Sequence, residues 1–421
     1  MTYAEALAAL EARQEARVEL GLERMRAHLA RLGDPQEKVP CFHVAGTNGK
    51  GSTCAILAAV LTASGRRTGL YVSPHLISPR ERVRVDGEPI SEGEFAGLMS
   101  RALAADPKGE LTYFELLTSL AFQHFAARAC AVAVLETGLG GRLDATNVVS
   151  APLAAIVTSI DYDHQSYLGN TLAEIAGEKA AIFKAGRPAV YPELPRAAAA
   201  VVSRAARRGV PVPVRRAWPA ARVDWARGRQ FLRAPGGREY ALSLLGARQG
   251  RNAALARAAL DASGLAVDER AWRSGLAAVR WPGRFEPVRL GRRTLIVDGG
   301  HNPEAARALA ATWRASPWSR RPARWILGLL RDKDAAGVLK PLAAHLRDVV
   351  VVRPPSPRAL EPAALAAAVR RAAPRARVTI ESGVETALAA WRRDRKAPAA
   401  AVCAGSLYLA GAALKACGRS A

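Results

Sequence analysis

Residues 42–53 read FHVAGTNGKGST, and the fold turns on how that stretch is interpreted. A common phosphate-binding loop is spelled G-x-x-x-x-G-K-[ST], with the hydroxyl residue directly after the lysine. Here Gly51 stands between Lys50 and Ser52. The stretch is either a phosphate cradle with an added glycine or a glycine-rich turn carrying an incidental lysine. Its surroundings favour the cradle. VPCFHVA (39–45) reads as a strand, and residues 52–64 place Ile56, Leu57, Val60 and Leu61 on one helical face. Between them, Gly46, Gly49 and Gly51 let backbone N–H groups point at an anion, and the start of the helix adds positive potential. In that geometry Lys50 reaches the β- and γ-phosphates of a nucleotide, and Ser52 or Thr53 holds Mg²⁺.

Outward from this loop, short β-branched runs alternate with alanine-rich helical stretches, which predicts an α/β fold with mostly parallel sheets. TGLYV (68–72), AVAVLE (131–136) and AAIVTS (154–159) are further strands of the first part. The segment 191–240, rich in Arg and Pro, reads as a peripheral, partly irregular layer. A break falls at RWPGRFEPVRLGRR (280–293), where Pro, Gly and charge cluster. Beyond it TLIVD (294–298), RWILGL (324–329), DVVVVR (348–353), RVTI (377–380) and AAAVCA (399–404) each precede a helical segment. That is the pattern of a second Rossmann-like domain. Its first helix has Asn302 as cap, Pro303 in the first turn and Glu304 to suit the dipole. The expected organisation is an N-terminal P-loop ATPase domain over 1–286 and a smaller C-terminal Rossmann-like α/β domain over 287–421.

Composition bounds the partners. The N-terminal residues alternate apolar and charged types at helical spacing, unlike a secretory signal, and no segment approaches the roughly 20 apolar residues that span a bilayer. The five cysteines form neither paired metal-type spacings nor a disulfide-like framework. A cytoplasmic, reducing setting is the expectation. The formal net charge of +24 could attract anionic partners or could reflect an Ala/Arg bias of the genome. Basic residues are spread along the chain and aromatics are only 6% of it, which weighs against a nucleic-acid-binding surface.

Polar residues fall where the parallel strands end at their carboxyl edge, the ligand-binding edge of such sheets. Ser73 follows TGLYV, Glu136 closes AVAVLE, and His164 lies in DYDHQSYLG. Singly each could be structural; together they offer an oxygen-rich set that suits Mg²⁺ beside a phosphate. GEKAAIFKAG (177–186) then brings Lys179 and Lys184, which are either surface lysines on a helix or functional ones.

The motifs resemble, in order and over nearly the whole length, the folylpolyglutamate synthase/dihydrofolate synthase family of the Mur ligase superfamily. They are LGLERM (20–25), HVAGTNGKGS (43–52), YVSPHLISPRERVRVDG (71–87), LTYFELLT (111–118), LETGLGGRLDATN (135–147), VTSIDYDHQSYLGNTLAEIAGEKAAIFKAGRP (157–188), PGRFE (282–286), DGGHNPEAA (298–306), GLLRDKD (328–334) and AGSLYL (404–409). In that family the glycine after the lysine is usual, so Gly51 is a signature. The resemblance implies that Asn48, Gly49, Lys50, Gly51 and Ser52 cradle the ATP phosphates, and that Ser52, Ser73, Glu136 and His164 ligate Mg²⁺. Asn252, Arg284 and Asp298 would complete the ATP site, with His301 close by as a catalytic group. Lys179 matches a lysine often carbamylated in the family, a neutral amine converted to an acid able to help hold a second metal ion; Lys184 does not match. Arg24, Pro74, His75, Thr112, Phe114, Glu115, Arg142, Leu143 and Asp144 would line the pterin and substrate pocket. Two positions depart from the family: Arg248 where His is frequent, and Gly300 where Ala is common.

The implied activity is ATP-dependent addition of L-glutamate to folates, and to 7,8-dihydropteroate, by a monomer acting without nucleic acid or membrane. A substrate carboxylate attacks the γ-phosphate, and the glutamate amine then displaces phosphate from the acyl phosphate. ATP would contact both domains, with closure about residues 285–293 gating the reaction. One rival is a Mur-type ligase acting on a UDP-linked substrate, but only about forty residues precede Gly46, too few for a uridine-nucleotide domain. Another is a basic NTPase stimulated by nucleic acid, and a third, a non-catalytic nucleotide-binding scaffold, would leave the Mg²⁺ set and Lys179 without a purpose.

Overall fold

A computed structural model describes residues 1–13 and 19–419. The chain gathers into two compact units, one of residues 1–74, 79–218 and 250–279, the other of 75–78, 219–249 and 280–421. The units interleave along the sequence, since two short earlier segments gather with the residues after 280.

The first unit is built on an eight-stranded sheet. Its strands are β1 (Cys41–Ala45), β2 (Thr68–Tyr71), β3 (Val83–Val85), β4 (Glu88–Pro89), β5 (Val132–Glu136), β6 (Ala154–Val157), β7 (Pro188–Pro192) and β8 (Val210–Val214). They lie in the order β4-β3-β2-β5-β1-β6-β7-β8. From β2 to β8 every pairing is parallel, while β3 and β4 add an antiparallel margin. β1 sits between β5 and β6 and is buried on both faces, as the strand of a doubly covered parallel sheet must be. The helix Lys50–Ala63 follows it and is enclosed nearly all round, with Ile56, Leu57, Val60 and Leu61 inaccessible. Burial of each such side chain contributes roughly 1.5–3 kcal/mol, which fixes the helix start and therefore the loop that precedes it.

β7 and β8 were not separable from loop in the sequence, because prolines stand at Pro188, Pro192, Pro211 and Pro213. The segment 191–240 proves ordered. It carries β8, the helix Arg196–Ala206 and, in the second unit, a three-stranded antiparallel sheet of β9 (Ala220–Asp224), β10 (Arg229–Arg233) and β11 (Glu239–Leu242).

The main sheet of the second unit runs β12-β13-β17-β14-β15-β16, from β12 (Glu286–Leu290), β13 (Arg293–Asp298), β14 (Ala323–Leu327), β15 (Asp348–Val352), β16 (Arg377–Glu381) and β17 (Ala400–Ala404). All pairings are parallel except β12 with β13. The break read at 280–293 thus contains a strand: β12 folds back on β13, and its Pro287 lies in an edge strand, the position a sheet tolerates. Among the described residues no helix is long and apolar enough to cross a membrane. All five cysteines are free thiols, and burial raises the pKa of Cys41 to about 12, leaving it inert as a nucleophile.

Candidate active site

The loop after β1 is held from below by the end of β6. Thr47 N donates to Ser159 O at 2.9 Å, and Asn48 N donates to Ser159 Oγ at 2.9 Å. Thr158 Oγ1 donates to Asn48 O at 2.8 Å, while Thr47 Oγ1 and the backbone of Asp161 exchange bonds of 3.1 Å in both directions. Gly49 caps the following helix at φ 89, left-handed backbone that favours glycine. A Cβ there would come 2.6 Å from Asn252 Oδ1, so the buried Asn252, on the helix Gln249–Ser263, closes against the loop. Lys50 Nζ lies 3.1 Å from Gly46 O and 3.5 Å from Thr47 O, folded over the carbonyls of its own loop. Gly51 and Ser52 begin the helix, buried. The Thr53 side chain is wholly enclosed and its hydroxyl finds no partner among the described residues, so of the two candidate hydroxyls Ser52 is the slightly more exposed.

Glu136 ends β5 and pairs in register with Val44 of β1, two residues before Gly46. Its Oε2 accepts from Ser73 N at 3.2 Å, so Ser73 and Glu136 meet at the carboxyl edge of the sheet. The Ser73–Pro74 peptide is cis. His164 adopts φ 52 at the start of a short helix, with Nε2 3.8 Å from Asp163 Oδ1. Among the described residues no three His, Cys, Asp or Glu side chains form a metal-holding group. The proposed set has instead two hydroxyls, one carboxylate and one imidazole. An oxygen-led set with few carboxylates fits Mg²⁺, which keeps water and phosphate oxygens in its shell.

Lys179, on the helix Leu172–Ala180, is buried, and its pKa is pushed down to about 7 by burial first and by the Lys50 charge second. Asp163, Asp144 and Glu178 oppose that shift. The amine is therefore neutral in good part at neutral pH, as reaction with CO₂ requires. Asp163 was not singled out in the sequence; only its position beside His164 pointed to it.

The residues read as a substrate pocket are largely engaged in structure. Thr112 caps the helix Tyr113–Ala127 by accepting from Glu115 N at 3.3 Å, and Thr112 N donates to Glu115 Oε2 at 2.9 Å. Arg24 Nη2 reaches the other oxygen of Glu115 at 3.1 Å. Phe114 lies over Gly138, where a Cβ would strike its ring. Arg142 grips Glu178 through Nε and Nη2, both at 3.0 Å. Leu143 is half-buried, and the Asp144 carboxylate is enclosed within its own loop. His75 gathers with the second unit, whereas Ser73 and Pro74 belong to the first.

In the second unit the end of β13 builds its own cluster. Asp298 Oδ2 accepts from Phe285 N at 2.9 Å and Oδ1 from Gly300 N at 2.8 Å. Burial raises the Asp298 pKa, and the Arg284 charge works against that. His301 Nδ1 lies 2.9 Å from Gly299 O; a carbonyl only accepts, so Nδ1 carries the proton of the neutral ring and Nε2 is the basic nitrogen. Arg248 forms an ion pair with Glu304 at 3.3 Å, giving its departure from the family a local partner.

A profile of the Mur ligase middle domain matches residues 44–260, and one of the Mur ligase glutamate ligase domain matches 283–407. The dihydrofolate synthase/folylpolyglutamate synthase of Mycobacterium tuberculosis is 38% identical over 384 residues, 84% of this chain and 78% of that protein. Its Escherichia coli counterpart is 42% identical over 339 residues, 79% of this chain and 76% of that one. A structure of the M. tuberculosis folylpolyglutamate synthase complexed with ADP and AMPPCP superposes with a TM-score of 0.88 at 36% identity, covering 99% of both chains. Loop, sheets and profiles together define an ATP-dependent ligase of the Mur type. Within that class the chain belongs to the folylpolyglutamate synthase/dihydrofolate synthase family.

Proposed function

We propose that this chain adds L-glutamate to folates, and to 7,8-dihydropteroate, at the expense of ATP. The observation that carries the reading is the preset loop 46–52, gripped by Thr158 and Ser159, with Glu136 in register beside the strand that feeds it. Amide formation from a carboxylate and an amine is uphill in water, so the carboxylate is activated first. Its oxygen attacks the γ-phosphorus of ATP, the bond to the β–γ bridging oxygen breaks, and ADP leaves behind an acyl phosphate. The glutamate amine attacks the acyl carbon, loses a proton, and phosphate departs as the amide forms.

Lys50 swings from its loop carbonyls to the phosphates and offsets charge as it moves toward the leaving oxygen. Arg284 and Asp298 are the further proposed nucleotide-binding residues, and His301 Nε2 is the proposed acceptor of the amine proton. Ser52, Ser73, Glu136 and His164 are the proposed holders of Mg²⁺, which would supply positive charge to the phosphates. Neutral Lys179 adds to CO₂ with loss of a proton, giving a carbamate that would help hold a second ion. Arg24, Pro74, His75, Thr112, Phe114, Glu115, Arg142, Leu143 and Asp144 are the proposed surround of the pterin substrate. The functional division is proposed near 286/287; the profile matches end at 260 and resume at 283. The protein is proposed to act as a cytoplasmic monomer without nucleic acid.

The test is phosphate release with ATP and L-glutamate, comparing 7,8-dihydropteroate with tetrahydrofolate as acceptor. Turnover with both is expected. Release that ignores both acceptors but rises with RNA or DNA overturns the reading.

A further inference from the structure

A hydrogen-bonded chain links β1 to the loop after β5, and two of its members, His43 and Thr146, have been given no role. His43, in the middle of β1, is fully enclosed, and its Nε2 lies 2.7 Å from Thr146 Oγ1. Thr146, also fully enclosed, donates from Oγ1 to Asp144 Oδ1 at 2.5 Å. Asp144 Oδ1 accepts Thr146 N at 3.0 Å as well, while Oδ2 accepts Gly138 N and Leu139 N, each at 2.8 Å. A carboxylate that accepts four hydrogen bonds has committed the single hydroxyl hydrogen of Thr146 to itself. The His43 nitrogen facing Thr146 must then be the donor, Nε2–H. Nδ1 is left as a bare acceptor, and it finds no partner among the described residues.

The chain connects two pieces that the reaction must keep in register. His43 stands three residues before Gly46, on the strand that feeds the phosphate loop. Asp144 and Thr146 stand in the loop after β5, which also carries Arg142 and Leu143. That loop is already pressed on the helix of Lys179: a Cβ at Gly141 would come 2.8 Å from Glu178 O and 3.0 Å from Lys179 O. Resting on the folate reading above, we propose that His43 and Thr146 are positioning residues, which through Asp144 fix the height of the substrate loop over the phosphate loop. Neither touches substrate. Their effect is on alignment of the acceptor carboxylate with the γ-phosphorus, where a displacement of about 1 Å costs on the order of a hundredfold in rate.

The experiment pairs kinetics with spectroscopy. Thr146→Val and His43→Leu keep the shape and remove the hydrogen bonds; they are expected to raise the KM for the pterin acceptor about tenfold and lower kcat, with the KM for ATP unchanged. Thr146→Ser and His43→Gln, which restore an O–H or N–H in place, are expected to recover most of that loss. A purely structural pair would lower the melting temperature and leave the ratio of the two KM values alone; that outcome, or equal rises in both KM values, overturns the proposal. Independently of any activity, ¹⁵N spectra of the imidazole in the intact chain should show the Nε2–H tautomer unchanged between pH 5 and 8. An Nδ1–H ring overturns the proposal whatever the kinetics show. Absence of ligation by the wild type would strike the folate reading, and the ring spectrum would still decide the relay.

Discussion

Lys179 is buried within reach of the Lys50 charge, and burial first, with that charge second, drives its amine toward the neutral form. Its folded pKa of about 7 lies well below the ordinary lysine value. Between those two values the unfolded chain binds a proton that the folded chain does not, so stability rises with pH across that window and is flat below pH 7. From pH 7 to 8.5 the wild type should gain about 1.5 kcal/mol over a Lys179→Met variant in urea unfolding, the slope rising from half of 1.36 kcal/mol per pH unit at pH 7 toward the full value above it. Equal pH dependence of the two proteins would show that the amine is not depressed. Lys50→Ala should lower ligation by at least about a hundredfold, because a preorganised charge on the phosphates is lost. The variant should still fold, since among the described residues the lysine is held by carbonyls of its own loop.

At the scale of elements, the helix Tyr113–Ala127 shows how one motif can be read twice. TYFE at 112–115 has the spelling of a capping box, and the structure forms that box while Arg24 clamps Glu115. Thr112→Ala should therefore cost about 1 kcal/mol in chemical unfolding, with Thr112→Ser close to wild type. A change in acceptor KM with no loss of stability would assign Thr112 to the substrate instead. The same contrast explains what could be read from the sequence. β1, β5, β13 and β15 are short, largely apolar runs without proline, mostly buried, and their pattern needs no partner to be recognised. β7, β8 and β12 contain proline and sit toward or at a sheet margin, so the local signal contradicts the fold. The phosphate loop was legible because its chemistry is contiguous. Its supports, Thr158 and Ser159, lie more than a hundred residues away, and the His43–Thr146 contact likewise depends on strand register, which spacing alone does not reveal.

For the molecule as a whole, a charge of +24 with aromatics at only 6% of residues is a weak argument for a polyanionic partner. ATP hydrolysis should accordingly show no stimulation by single-stranded DNA or RNA in physiological salt, and light scattering should return the mass of one chain. Stimulation by either polymer would instead make the arginines functional. The outer flank of the larger sheet has its own bearing on solitary behaviour. β8 reads VPVPV, and Val210 N donates inward to Arg187 O at 2.9 Å. In a parallel strand alternate residues turn the other way, so Pro211 and Pro213 occupy the positions whose amide hydrogens would face solvent. A stray peptide arriving at that rim meets acceptors without donors and cannot knit itself on, so crowded solutions lose one route to fibrous growth through imino-acid chemistry alone.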